Sequence, residues 1–244
     1  MGFSMRRIAV LLAASLIGLA GAIVPASAQA NEESTKTITL GGERFVVPKS
    51  ADRDGGARVK VPAETLSKMR REAAPAGSAR SADGGTLWYR ALSRSNTQVW
   101  GDWKLSNDVL NPGYVGNAGN NDPIVAVQFL WYQHPPFGYN LGLRGHWSDF
   151  GYGSIFPLSF DDNNADASVV MYTPLLQPLE ELAFFNSGPN SVVAAGHIQD
   201  VGWQGGTYFQ PESGYPWGWP WVGAYWIGST GQARWIEAFW VDTV

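Results

Sequence analysis

Gly196-His197-Ile198-Gln199-Asp200-Val201-Gly202-Trp203-Gln204, answered by Gly228-Ser229-Thr230-Gly231-Gln232-Ala233-Arg234-Trp235-Ile236-Glu237-Ala238-Phe239, is the stretch from which the fold can be read. The first half is a short apolar run that ends in turn chemistry, Gly202-Trp203-Gln204-Gly205-Gly206. The second half is a glycine-bracketed turn that opens an extended aromatic segment. Together they form one structural unit, and two looser copies of it lie upstream. A chain built from copies of one unit buries its core by bringing the copies together.

The copies align at both ends. Leu87–Ala91 corresponds to Leu141–Gly145 and to Val192–Gly196, so the openings are 54 and 51 residues apart. Gly145-His146-Trp147-Ser148-Asp149-Phe150-Gly151-Tyr152 parallels Gly196–Trp203 without a gap. The closing runs are Pro123–Phe129, Pro178–Phe184 and Trp235–Trp240, spaced by 55 and 57 residues. Near-equal units of about 86–132, 139–185 and 192–244, with no strand left over, favour closure about a pseudo-threefold axis. A β-prism or a β-trefoil meets that condition and hides sheet edges. A unit of about 50 residues with four strands favours the prism.

The texture from Leu87 onward is all-β. Short aromatic and β-branched runs such as Val125–Tyr132 are broken by Gly, Asn, Pro or Asp, and no stretch holds a helical period for three turns. Leu175–Leu182 has some helical character, but its place in the repeat makes it a strand.

Upstream the composition differs. Met1 to about Ala30 reads as a secretory signal, with Arg6 and Arg7 before the apolar run Ile8–Ile23 and small-residue cleavage triplets at Ala26–Ala30. An exported chain without cysteine depends on packing for its stability. Residues 31–85 carry 10 Lys+Arg and 8 Asp+Glu, with Phe45 the only aromatic. This segment reads as a flexible or pro-like tether. Within it, Thr37–Val47 forms a hairpin around Gly41-Gly42, Pro62–Ala74 a short helix with Leu66 and Met69 on one side, and Pro75–Gly85 a linker. Residues 86–244 hold 5 Lys+Arg, 13 Asp+Glu and all 12 tryptophans. That acidic, indole-rich surface argues against nucleic acid, which asks for a basic face.

The third copy resembles the clostridial hydrophobic W repeat. His197, Gly202-Trp203, Gly228-Ser229-Thr230-Gly231-Gln232 and Ile236-Glu237-Ala238 match the family's His, Gly-Trp, Gly-Thr-Thr-Gly-Gln and Leu-Glu-Ala elements. The second copy keeps His146, Gly151 and Glu180, with Tyr152 in place of Trp. The first keeps almost none, with only Trp100 and Trp103 nearby. The resemblance implies a secreted or cell-surface binding module without enzymatic activity, in contact with polysaccharide or engaged in adhesion.

Individual residues follow from this frame. His146, His197, Glu180 and Glu237 recur in register and read as structural, with Asp149 and Asp200 tying a turn to a strand. Trp203, Tyr152 and Trp103 read first as core and second as ligand contacts. Tyr215-Pro216-Trp217-Gly218-Trp219-Pro220-Trp221 has no upstream equivalent and reads as a rigid loop. Trp217, Trp219 and Trp221 would stack on sugar rings, with Gln204, Gln210 and Glu212 taking hydroxyls; folding back as a satellite cluster is the alternative. Asp161–Asp166 reads as a solvated acidic loop. His134, His146 and His197 give no metal-ligand spacing, and no cofactor motif is present. Asp149, Glu180, Asp200 and Glu237 are repeat equivalents, which suits structure better than a pair of hydrolytic acids. The expected function is lectin-like, non-catalytic binding of a cell-wall or extracellular polysaccharide. A protein-binding adhesin or enzyme inhibitor, and a glycan hydrolase, are the alternatives.

Overall fold

The computed structural model describes residues 34–73, 86–106, 113–133, 140–159, 167–187, 192–210 and 221–243. The elements run β1 (Thr35–Leu40), β2 (Glu43–Pro48), α1 (Ala51–Asp54), β3 (Gly56–Lys60), α2 (Ala63–Ala73), β4 (Thr86–Ser93), β5 (Lys104–Leu105), β6 (Val115–Gly116) and β7 (Ile124–Gln133). They continue with β8 (Asn140–Trp147), β9 (Gly151–Tyr152), β10 (Phe156–Ser159), β11 (Ala167–Tyr172) and β12 (Leu179–Asn186). The last are β13 (Val192–Ile198), β14 (Gly202–Gly205), β15 (Thr207–Phe209), β16 (Gly223–Gly228) and β17 (Ile236–Thr243). The fold is all-β. Leu175–Leu182 holds no helix: Leu175 lies in a turn and β12 begins at Leu179.

Besides the hairpin β1–β2, the strands form three antiparallel sheets. Their orders are β3-β11-β7-β4-β5, β10-β8-β12-β16-β15 with β9 also on β8, and β14-β13-β17-β6. In each, an opening strand (β4, β8 or β13) pairs with a closing strand (β7, β12 or β17), and a short strand folds back onto the opening one. The closing strand's other edge is taken by a strand from elsewhere in the chain. β11 pairs with β7, β16 with β12, and β6, far upstream, with β17. Each third of the chain therefore contributes one strand to another third's sheet, and the exchange closes in a ring. Among the described residues no sheet closes into the barrel that a β-trefoil requires; the arrangement is prism-like.

The inner faces of the three sheets meet in one cluster. Leu87, Tyr89 and Phe129 of the first sheet pack with Leu143, Trp147 and Phe184 of the second and with Ile236, Phe239 and Val241 of the third. Phe129 stands 5.7 Å from Phe184 and 6.0 Å from Phe239, and Tyr89 stacks on Phe239 at 5.6 Å. Truncating any of these rings would cost about 3–5 kcal/mol.

The expectation of a flexible tether over residues 31–85 is corrected for residues 34–73. The hairpin forms around Gly41-Gly42 and the helix over Ala63–Ala73, as the sequence indicates, but both belong to the folded body. Leu40, Phe45 and Val47 of the hairpin pack on Leu92, Val125, Val170 and Tyr172 of the first sheet. β3 extends that sheet by pairing with β11. Leu66 and Met69 of α2 bury against Val61, Trp88 and Leu130. Ala57, Val59 and Val61 drive this, buried on one side of the strand and separated by the exposed Arg58 and Lys60. Residues 74–85 lie outside the described residues, as does the signal segment.

Candidate ligand-binding sites

Each closing strand carries a β-bulge at the same point of its pairing, and β7 has a second where Tyr132 is skipped. At the shared point the skipped residue is Val125 in β7, Glu180 in β12 and Glu237 in β17. A bulge re-aims a side chain. Here it turns Glu180 and Glu237 toward the histidine on the neighbouring strand. His146 Nδ1 lies 3.2 Å from Glu180 Oε2, and His197 Nδ1 lies 2.9 Å from Glu237 Oε2. The carboxylate oxygens sit off the line of the N–H, so these are close polar contacts rather than linear hydrogen bonds. Both glutamates are buried and both histidines are nearly so.

A turn from the exchanged strand completes each pair. Ser229 N–H donates to the Glu180 carbonyl at 3.1 Å, and Asn117 N–H donates to the Glu237 carbonyl at 2.8 Å. Gly119 N–H also donates to Glu237 Oε2 at 2.8 Å. These turns follow Gly228 and Gly116, at φ +87° and +91°, where an added Cβ would fall on the glutamate's own carbonyl oxygen. Gly116-Asn117-Ala118-Gly119-Asn120 is thus the spatial counterpart of Gly228-Ser229-Thr230-Gly231-Gln232. Read along the sequence, the second copy lacks a Gly-x-x-Gly turn and the first keeps almost none of the pattern, yet in space the first copy supplies this turn to the third. The glycine pair was the available signal.

One aromatic ring stands beside each histidine. Tyr152 is directly opposite His146 and Trp203 directly opposite His197 across the strand pair. The ring centroids are 4.6 Å and 5.6 Å apart, edge to face. Tyr152 is 43% exposed and Trp203 44%. The preference for a core role at these two positions is corrected: both rings lie on short strands at sheet margins and half of each meets solvent.

The two sites differ around this shared plan. At Tyr152, the Arg144 guanidinium lies 4.1 Å from the ring centre, and the Tyr152 hydroxyl donates to Glu181 Oε1 at 2.8 Å. Burial pushes the Glu181 carboxyl above its ordinary range; the Tyr152 hydroxyl and Arg144 oppose that shift without cancelling it. Burial and the adjoining Glu181 likewise raise the Tyr152 phenol. Trp226, from the exchanged strand, adds an edge at 6.4 Å. At Trp203, alanines replace both charges: the register sets Ala195 where Arg144 stands and Ala238 where Glu181 stands. Tyr114, 47% exposed, reaches the Trp203 ring at 5.4 Å from the far edge of the sheet.

The first sheet has Leu92 and Val125 in place of the His–Glu pair. The hairpin covers them, together with Trp100, which is 7% exposed and donates its indole N–H to the Leu40 carbonyl at 2.9 Å. Arg90, the counterpart of Arg144, lies 4.6 Å from Trp100 and 4.4 Å from Trp103 and makes a bidentate pair with Glu43 at 2.7 and 2.6 Å. Trp100, not Trp103, therefore takes the role that Tyr152 has in the second sheet. Trp103 is partly buried against the α2 cluster and lines a cleft of about 710 Å³ between Gly41, Glu64, Lys68 and Lys104.

Other expected residues fall differently. Trp217, Trp219 and Glu212 lie outside the described residues, as do His134 and Asp161–Asp166. Trp221 is corrected as a stacking ring. It is 7% exposed, in a satellite cluster with Ala183, Phe185 and Ala224, because its indole fills the space that Gly142 leaves open. Gln204 and Gln210 are exposed. Gln204 pairs with Gly196 and so points to the opposite side of β14 from Trp203; it does not serve that ring. Asp149 and Asp200 occupy left-handed turn positions at φ +63° and +62°, and the histidines are held by the glutamates instead. Arg144, Glu181, Trp226 and Tyr114 were not singled out from the sequence; of these only Arg144 has a like residue in another copy, Arg90.

Compared with known protein families, curated proteins and solved structures, the chain matches none.

Proposed function

We propose that this is an exported, non-catalytic binding protein built from three copies of one unit, and that its Tyr152 and Trp203 sites take polysaccharide. The observation that carries the reading is the shared construction of the two sites: a half-exposed ring directly opposite a histidine whose Nδ1 faces a buried glutamate. A carboxylate at Nδ1 favours the proton there and leaves Nε2 as an acceptor. An aromatic surface meets the apolar face of a sugar ring, while Nε2 accepts from a hydroxyl. Glu180 and Glu237 are used up inside the pairs, so neither is free as a hydrolytic acid. The hydrophobic W resemblance points the same way: of the elements that carry it, His197, Gly202-Trp203 and Glu237 build the Trp203 site, and the Gly228–Gly231 turn completes the Tyr152 site.

Pull-down of the purified protein on insoluble cellulose, chitin, xylan and peptidoglycan tests this. Binding to at least one of them, weakened several-fold or more by Tyr152→Ala or Trp203→Ala, is expected. Absence of binding to all four, or binding indifferent to both substitutions, would reject the reading. Release of reducing sugar in the same assay would favour a hydrolase instead.

A further inference from the structure

We infer that the protein bridges two separate polysaccharide chains, through one site that tolerates charge and one that is neutral. The inference rests on the two sites just proposed and concerns their number, direction and chemistry.

Number comes from the first sheet. The place that holds a His–Glu pair in the other two holds Leu92 and Val125 there, and Leu40, Phe45 and Val47 of the hairpin lie on it. Arg90, 5% exposed, locks the cover in place through Glu43 and continues through Gln128 (2.8 Å) to Ser168 (2.8 Å) across the sheet. The chain itself occupies this position, which leaves two open sites.

Direction comes from the core. The three sheets turn their inner faces to one cluster, and His146 and His197 alternate with inward residues, Leu143 and Trp147 in β8 and Ala194 and Ile198 in β13. The two rings therefore stand on outer faces that point apart. The exchange of β16 and β6 joins the sheets into one body, so the faces do not swing together. A stiff polymer lying on one face leaves it without meeting the other, and the second site is free for another chain. On one chain, two sites would raise avidity; on divergent faces they cross-link.

Chemistry comes from the substitutions around the rings. The Tyr152 site carries the Arg144 guanidinium and the Glu181 carboxyl, which suit a sugar bearing a carboxylate, an amine or many hydroxyls. The Trp203 site has Ala195 and Ala238 in those places and a second ring, Tyr114, which suit a neutral sugar face.

Light scattering on titrating the protein into soluble carboxymethylcellulose, glycol chitosan or arabinoxylan, chosen by the pull-down, tests the proposal. The expected result is scattering that rises to a maximum and falls at excess protein. Tyr152→Ala and Trp203→Ala should each keep pull-down binding within about tenfold of the parent and lose the scattering maximum. The Trp203→Ala protein, left with the charged site, should lose several-fold more binding on raising salt than the Tyr152→Ala protein. Wild-type protein that binds without scattering, single variants that scatter like wild type, or equal salt dependence of the two variants would overturn bridging by unlike sites while leaving the binding reading intact. Failure of the wild type to bind any glycan would overturn both.

Discussion

Glu237 Oε2 lies 2.9 Å from His197 Nδ1 on the neighbouring strand, and the same oxygen accepts the N–H of Gly119, 118 residues away. One carboxylate thus joins the opening strand, the bulge of the closing strand and a turn contributed by the first third of the chain. At Glu180 the corresponding turn comes from the last third. Neither site is complete until distant parts of the chain have exchanged strands, so forming the sites is part of closing the fold.

The first prediction concerns this carboxylate. Glu237→Ala strands the Gly119 N–H and the His197 ring in a buried place, and the cost should be about 2–4 kcal/mol. Urea denaturation gives the value, and amide exchange at Gly119 should accelerate in the folded state. A loss below about 0.5 kcal/mol would show that the pair does not hold the turn.

A second prediction separates glycines that look alike in sequence. Gly116 and Gly228 have positive φ and no room for a Cβ, while Gly119 and Gly231 have positive φ and open space. Alanine at Gly119 or Gly231 should cost about 1 kcal/mol from backbone strain alone. Alanine at Gly116 or Gly228 should cost clearly more, because the closing strand must also move. Thermal melts of the four variants give the ordering; equal losses would argue against the close approach of turn to strand.

Much of this was legible in the sequence, and the omissions have physical causes. The aromatic and β-branched run Val125–Tyr132, the turn at Gly41-Gly42 and the Leu66/Met69 spacing each report a local preference, and each element forms where expected. Which closing strand receives β6, β11 or β16 is not a local property, and the exchange has no signature in the order of the elements. Residues 34–60 mislead for a related reason. Their charged residues face solvent, and the apolar ones are too few to show a core until β11 and the first sheet are seen to supply the rest of it. His–Glu recurrence was readable as structure. That it also positions Tyr152 and Trp203 depends on the bulges, which only the pairing reveals.

A third prediction follows from burial at Glu181. Its carboxyl is pushed up by desolvation, so ionisation costs more in the folded than in the unfolded protein. This group's contribution is complete below the unfolded carboxylate range and is lost as pH rises through the folded value. Glu181→Gln, which still accepts from Tyr152, should therefore be at least as stable as wild type at neutral pH. The difference should shift toward wild type as the pH falls through the carboxylate range. Chemical denaturation across that range decides it; a variant less stable at neutral pH, by an amount that shrinks in acid, has the opposite sign and contradicts the assignment.

A fourth prediction tests the covered sheet. Glu43→Ala leaves the Arg90 guanidinium buried between Trp100 and Trp103 without its bidentate partner. A loss of about 2–4 kcal/mol is expected, with Glu43 partly exposed and the lower figure favoured. Limited proteolysis should then cut within residues 34–60 first. Unchanged stability and protease resistance would show that the hairpin is held by its apolar contacts alone.

The most direct measurement for the whole account is a glycan array read with the wild type and with the Tyr152→Ala/Trp203→Ala double variant, at matched melting temperature. Both rings are about half exposed, so the double variant should keep its fold. The account predicts glycans retained by the wild type and lost from the double variant. A double variant that holds the same glycans with the same strength would place binding elsewhere on the molecule and contradict it.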